Sequence, residues 1–324
     1  MSAPKKKGEE VRRPLASSDL AVKTAWLYYV EGFTQEQIAE KLGVTRVKVM
    51  RTLASCIEDG IVTTTINTPT AGQIRLEREL EKRWGLSTAI VVPTPSDERS
   101  LEKSIGHAVA SYVAEQMEDG ATLAIGGGAT LYASLAFLPR RQLKDATVAA
   151  LVGSLPHSQW INPSIVAVKV AEALGADSYQ ITAPVIVDDP ELRDRLWAQP
   201  TLQFARARAE SADIALLTVG DVSPEATIFR HGIVPTDLIE PLRRQGAVAN
   251  LLCFFVTSDG RLVDHDINRQ VMAIGLDAVS KIPNVVLAAG GGHKVEAIRA
   301  ALKAVSVQVL ITDSETAASL LKED

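Results

Sequence analysis

Two glycine runs are the first places where this chain's backbone could hold a ligand. Gly126-Gly127-Gly128, with Thr130 two residues on, and Gly290-Gly291-Gly292, with Lys294 two residues on, each follow an apolar run and precede a helical stretch. A glycine-rich turn entering a helix presents bare N–H groups and the positive end of a helix dipole, which suits an anionic oxygen. Thr130 would add a hydroxyl and Lys294 a full charge. If the strands ahead of the two runs are neighbours in a parallel sheet, one anion can touch both. The plainer alternative is that the glycines let helix and strand pack closely. Neither run fits G-x-G-x-x-G, and no G-K-[ST] follows either, so the dinucleotide and P-loop fingerprints are absent.

A second set of residues is cationic. Arg46, Lys48 and Arg51, with Thr45 and Thr52, share a short segment with the apolar Val47, Val49, Met50 and Leu53. On a helix starting at Thr45 the polar set faces away from the apolar one, as a helix reading a DNA major groove would require. The segments before it support that reading. Apolar spacing predicts a helix over 20–30 ended by Gly32, and Thr34 with Gln37 forms a capping box for a second helix carrying Ile38, Ala39 and Leu42. Small Ala39, turn-forming Gly43 and inward Val49 make the spacing of a helix-turn-helix, with Gln35 at the start of the second helix as a further DNA-facing candidate. The alternation 61–66 then reads as a strand, either a small wing or the exit from this domain.

Other reactive residues form no such pattern. Five histidines lack metal-ligand spacing, and Cys56 and Cys253 are far apart, so no disulfide scaffold or zinc module is expected. Asp264-His265-Asp266 follows a turn at Asp259-Gly260 and reads as a solvated loop. No G-x-S-x-G or H-E-x-x-H is present. We therefore assign no catalytic residue, no metal and no cofactor.

The elements that position these residues divide the 324-residue chain. We expect an α/β protein: an all-α helix-turn-helix domain over 15–68, a linker helix over 69–87, and a larger α/β domain with a mostly parallel sheet over 88–324. The linker helix carries a stripe of Leu76, Leu80 and Trp84, which either packs on the second domain or pairs with a partner helix. Beyond it, strands at 89–92, 121–125, 147–151, 214–219, 285–289 and 307–311 alternate with helices at 104–117, 130–138 and 294–302. Residues 1–60 carry a charge of +2 and the remainder −7, so the head alone suits an anionic partner. The basic start with Lys5, Lys6 and Lys7 has no signal-peptide core, and the uncharged stretches 121–139 and 146–168 hold glycines, Pro156, His157, Gln159 and Asn162. They read as buried strands and loops, not membrane spans, in a cytoplasmic protein.

Read end to end, the chain resembles the SorC family of sugar-responsive bacterial transcriptional regulators. The segments that carry the likeness are YYVEGFTQEQIAEKLGVTRVKVMRTL, IGGGATL, NPSIVAVKVAEALGAD, TAPVIVDDPELRDRL, GAVANLLCFFVTSDGRLV, LAAGGGHKVEAIRAAL and VLITDSETAASLL. The resemblance implies double-stranded operator DNA as one partner and a small sugar phosphate or polyol effector as another. It also implies a phosphosugar-isomerase-like effector domain and a homotetramer of paired dimers, or a homodimer. On family motifs, Gly126, Gly127, Gly128 and Thr130 would meet a phosphate. Gly153, Ser154 and Asn162 would line the sugar, Lys294 would meet an anionic group, and Asn250 is a further effector-binding candidate. Two departures bear on the ligand. Ala249-Asn250 stands where relatives often carry a carboxylate, and the loop 153–160 lacks the basic residues of some relatives, so an unphosphorylated polyol stays open. The rival reading is a phosphosugar isomerase or deaminase with a fused helical domain. Such an enzyme needs a positioned acid and base, and His293, Lys294, Asp221 and Asp188-Asp189 form no recognisable arrangement.

Overall fold

Capping decides where the first helices begin and end. The computed structural model describes residues 17–63, 71–155 and 162–322. Helix α1 spans Ser17–Tyr29, α2 Gln35–Leu42 and α3 Arg46–Glu58. The Thr34 hydroxyl accepts from the Gln37 N–H (3.3 Å), and the Gln37 side chain accepts from the Thr34 N–H (2.9 Å), which completes the expected capping box. Gly43 closes α2 in the left-handed conformation, φ 65°, donating its N–H to the Ala39 and Glu40 carbonyls. The Thr45 hydroxyl then caps α3 through the Lys48 N–H. Leu27, Ile38, Ala39, Val49 and Leu53 form the core of this unit. The strand expected over 61–66 is not formed at 61–63, which are irregular; 64–66, like the basic start and His157 to Trp160, lie outside the described residues.

Contacts divide the chain at Asn67 and Thr68 into two compact units. The second begins with α4, Ala71–Trp84, followed by β1, Thr88–Val92. Here the sequence left two options, and the stripe of α4 packs on its own unit: Leu80 is fully buried, with Leu76 and Trp84 against the same cluster. The helix also covers a sheet edge, because Glu77 and Glu81 accept from the Val91 and Ala89 N–H groups (3.0 and 3.2 Å). An edge strand left bare would be a template for pairing with other chains.

The remaining elements run in chain order. They are α5 Glu98–Gln116, β2 Thr122–Ile125, α6 Ala129–Ser134, β3 Thr147–Ala150, α7 Pro163–Leu174, β4 Asp177–Tyr179, α8 Pro190–Trp197 and α9 Pro200–Glu210. Then follow β5 Ile214–Leu217, β6 Val219–Asp221, α10 Thr227–Arg230, α11 Ile239–Arg244, β7 Ala247–Leu251, β8 Phe254–Thr257 and α12 Asp266–Gln270. Last come α13 Leu276–Val279, β9 Asn284–Ala288, α14 Val295–Ala304, β10 Val309–Asp313 and α15 Ser314–Leu320.

Seven strands form one parallel sheet in the order β1-β10-β9-β5-β2-β3-β4; β6, β7 and β8 form a small antiparallel sheet. The apolar runs of the central strands are explained by burial on both faces. Ala124, Ala215, Val285 and Leu287 point into one core, while Leu123, Ile125, Leu216 and Val286 point into the other. Among the described residues no helix is long and apolar enough to cross a membrane.

Four expectations need correction. The helix placed over 104–117 starts six residues earlier at Glu98, because Asp97 caps it through the Ser100 N–H (2.9 Å). The helix placed over 130–138 stops at Ser134, giving way to turns. The helix placed over 294–302 opens instead as a 3₁₀ turn, Gly292–Lys294, ahead of α14. Finally, β2 and β9, which precede the two glycine runs, are not neighbours: β5 lies between them.

Candidate functional site

In the first unit, α3 presents Arg46, Lys48 and Arg51 on its exposed side with Thr45 at its start, while Thr52 and Gln35 are half-buried. Val49, Leu53 and Cys56 take the inner face. One of the cations is already engaged, since Arg46 Nη1 lies 3.1 Å from Glu36 Oε1 on α2. With side chains 65% and 74% exposed, this pair is weak and exchangeable. A capped helix with an exposed cationic face can lie along an anionic polymer, the helix start reading base edges and the cations meeting phosphates.

In the second unit, a cavity of about 550 Å³ opens beyond the carboxyl ends of β2, β5 and β9. The chain runs outward one way through β2, β3 and β4 and the other way through β5, β9 and β10. Ligands of such sheets bind at that reversal. Thr218, just past β5, spans it by donating its hydroxyl to the Gly127 carbonyl (2.7 Å). Gly128, φ 118°, starts α6 with no side chain capping it. A Cβ there would lie 2.8 Å from the Thr218 hydroxyl, so this glycine is required both for its dihedral and for its space.

The two glycine runs are not equivalent. At the second, the Gly291 N–H is occupied by Asp313 Oδ2 (3.0 Å) and Thr316 Oγ1 (2.8 Å). A Cβ on Gly290 would lie 2.4 Å from Asp313 Oδ2. These glycines therefore pack against a buried carboxylate, and the expectation that both runs offer backbone donors to one anion does not hold. Asp313 also accepts from the Thr94 hydroxyl (2.6 Å) and the Thr316 hydroxyl (2.5 Å). Burial pushes its carboxyl up, but these hydrogen bonds outweigh burial and hold it below the ordinary range.

Gly127, Gly128, Thr130, Asn250 and Lys294 line the cavity together. Gly126, Gly153, Ser154 and Asn162 are not among its described lining residues. Gly126 underlies Leu252, 3.1 Å from where its Cβ would be, and Gly153 is clasped by the Ala183 and Pro184 carbonyls. Ser154 pairs with Pro184 in an isolated bridge. Asn162 caps α7 through the Ser164 N–H (3.1 Å) and donates to the Leu155 carbonyl (2.6 Å). The neighbours Val152, Leu155 and Pro163 reach the wall instead.

Several wall residues escaped the sequence reading. Glu98 and Glu102 come from the first turns of α5, which the predicted helix start excluded; the signal was Asp97 as an N-cap. Glu225 and Arg230 come from the segment after β6, beside Asp221, which the sequence offered only as an isolated acid. Gly220 lies within β6 opposite Asn250, where a Cβ would sit 2.5 Å from the Asn250 amide nitrogen. That amide donates to the Asp221 carbonyl (3.0 Å). Burial raises the carboxyl of Glu102, opposed by Lys294.

The β7–β8 hairpin closes the wall with Leu252 and Cys253, both left-handed at φ 51° and 67°. Such a turn ordinarily carries Asn-Gly. Burial pushes the Cys253 thiol up to about 12, so it is a neutral, apolar piece of wall. The Asp264-His265-Asp266 cluster is a helix cap: His265 Nδ1 accepts from the Ile267 N–H, and Arg269 bridges both aspartates. Among the described residues no group of three or more His, Cys, Asp or Glu could hold a metal ion.

Comparison with known proteins bears on both units. The model of the Sugar-bind family ("Putative sugar-binding domain") matches residues 68–322. The chain is 30% identical over 308 residues to the erythritol catabolism regulatory protein EryD of Brucella abortus, covering 94% of this chain and 97% of that one. It is 31% identical over 317 residues to the transcriptional regulator LsrR of Klebsiella pneumoniae, covering 95% and 94%. The crystal structure of the full-length sorbitol operon regulator SorC from Klebsiella pneumoniae superposes with a TM-score of 0.71 at 26% identity, covering 94% and 98%.

Proposed function

Because the chain belongs to the SorC family of sugar-responsive bacterial transcriptional regulators, we propose that its first unit holds operator DNA while the cavity of its second unit binds the controlling effector. The regulated operon is one of carbohydrate or polyol catabolism, and the effector is a sugar or polyol, free or phosphorylated. The observation that carries this reading is the pairing, in one chain, of an exposed cationic helix with a cavity of mixed polar and apolar lining at the sheet's reversal point. Arg46, Lys48 and Arg51 take phosphates, and Gln35, Thr45 and Thr52 lie closest to base edges. Gly127, Gly128, Thr130, Asn250 and Lys294 hold the effector. Gly126, Gly153, Ser154 and Asn162 act one layer behind the wall, shaping it. The protein works in the cytoplasm, where its DNA is, as a homotetramer or homodimer, since two recognition helices on one symmetric site need at least two copies.

The cavity binds without turnover in this reading; the regulators it resembles support that side over the phosphosugar isomerase or deaminase alternative. The test is fluorescence anisotropy of the chain on DNA from upstream of its own gene cluster, titrated with sugars and polyols, beside an assay for their conversion. Saturable binding that one compound shifts is the expected result. Conversion of a compound without any DNA binding would overturn the reading.

A further inference from the structure

We propose that the occupant of this cavity is an uncharged polyhydroxylated compound, a sugar or polyol without its phosphate. The inference rests on the reading of the cavity as the effector site and narrows it by charge. Among the described residues four carboxylates line the wall, Glu98, Glu102, Asp221 and Glu225, against Arg230, Lys294 and His293. The cations are also answered by carboxylates of the protein itself. His293 Nε2 lies 3.8 Å from Glu98 Oε1, and Lys294 and Arg230 both act on Glu102. A phosphate ester brings about two negative charges at neutral pH and would face a wall already in carboxylate excess.

Backbone donors do not reverse that balance. The Gly291 N–H is bound by Asp313 and Thr316, which leaves the uncapped first turn of α6, a helix of only six residues with a correspondingly small dipole, to set against the carboxylates. What the wall does offer suits hydroxyls. Each carboxylate accepts only, Lys294 and Arg230 donate only, and Thr130, Thr218 and Ser223 do both, so vicinal hydroxyls find acceptors and donors side by side. The apolar Val152, Leu155, Leu252 and Cys253 face the C–H surfaces between them.

The experiment uses the full chain and three pairs of probes: erythritol, ribitol and sorbitol, each beside its own monophosphate. Affinity is read by calorimetry and by thermal shift, and then with the variant Glu102→Gln. We expect at least one free polyol to bind ten times more tightly than its monophosphate. Removal of the Glu102 charge should narrow that ratio at least threefold by admitting the ester. A monophosphate that binds more tightly than its free polyol overturns the inference and leaves the effector-site reading in place. Silence from all six overturns that reading as well.

Discussion

The helix-turn-helix unit and the α/β unit are held together in different ways. The first has a single small cluster around Ile38, Val49 and Leu53, and its ends depend on Thr34, Gly43 and Thr45. Of the thirteen large apolar residues exposed among the described residues, nine lie in this unit, Trp26, Tyr29 and Val30 among them. A small domain has too little interior for its surface, so each cap and each core methyl is a large share of its stability. The second unit buries two cores on either side of one sheet and has room for expensive features, a buried carboxylate and three left-handed non-glycine residues, Asp145, Leu252 and Cys253. Equal perturbations should therefore have unequal consequences in the two units.

The largest expected effect tests the robust side. Asp313→Ala takes the acceptor from the buried Thr316 hydroxyl and N–H, removes one of two partners from the Gly291 N–H and the Thr94 hydroxyl, and should destabilise the α/β unit by about 3 kcal/mol. The head should keep its own transition in calorimetry. A single merged transition, lowered as a whole, would mean that the units do not melt separately. The same residue fixes a pH dependence. Its carboxyl lies below the ordinary 3.8 in the folded state. Its stabilisation is therefore complete above that value and is lost as pH falls through the lower folded one. Acid titration of the wild type should show the α/β unit weakening below about pH 4, and the alanine variant should lose part of that slope.

Leu53→Ala probes the fragile side. Removing a buried leucine costs about 2–5 kcal/mol, which a unit with so small a core cannot absorb. DNA binding should vanish while polyol binding by calorimetry stays at its wild-type value. Loss of both would show that the units share one folding equilibrium.

Smaller effects sharpen the comparison at the DNA face. Arg51→Ala should weaken operator binding by about 1–3 kcal/mol or, if it meets a phosphate, lower the salt slope by about 1. Glu36→Gln releases Arg46 from its 3.1 Å contact and removes a negative charge beside DNA, so it should tighten binding slightly. Unchanged affinity in both would take the face of α3 out of the interface. The smallest effect is Gly43→Ala. A Cβ there meets nothing within 4 Å, so the cost is backbone alone, about 1 kcal/mol. It should appear as a drop in the head's melting temperature with the α/β transition unmoved.

The two units also differ in how far their sequences disclose them. The head was legible because its determinants are local: Thr34 and Gln37 are three residues apart, and Gly43 closes the turn four residues after Ala39. In the α/β unit six of the seven strands of the parallel sheet were legible as apolar runs, but the short β4, the small β6–β8 sheet and the order of the strands were not. That β5 separates β2 from β9 depends on packing between distant residues, and no local pattern encodes it. The site was half legible for the same reason. Glycines and Lys294 announced themselves by type. Glu98, Glu102, Asp221 and Arg230 look like ordinary surface charges until the fold gathers them, and Asn162 looks like a ligand residue until its amide is seen closing on Leu155.

The Leu252–Cys253 turn has a consequence for the cavity. Left-handed geometry at non-glycine residues costs about 1–2 kcal/mol each, and an Asn-Gly pair would relieve it. That pair would also remove the leucine that covers Gly126 and the thiol that faces the cavity. Volume is thus retained where turn chemistry calls for its loss. The tip of this hairpin therefore keeps bulk at the expense of an easier turn, and the side chains that make the backbone strained are the same ones that keep the wall closed.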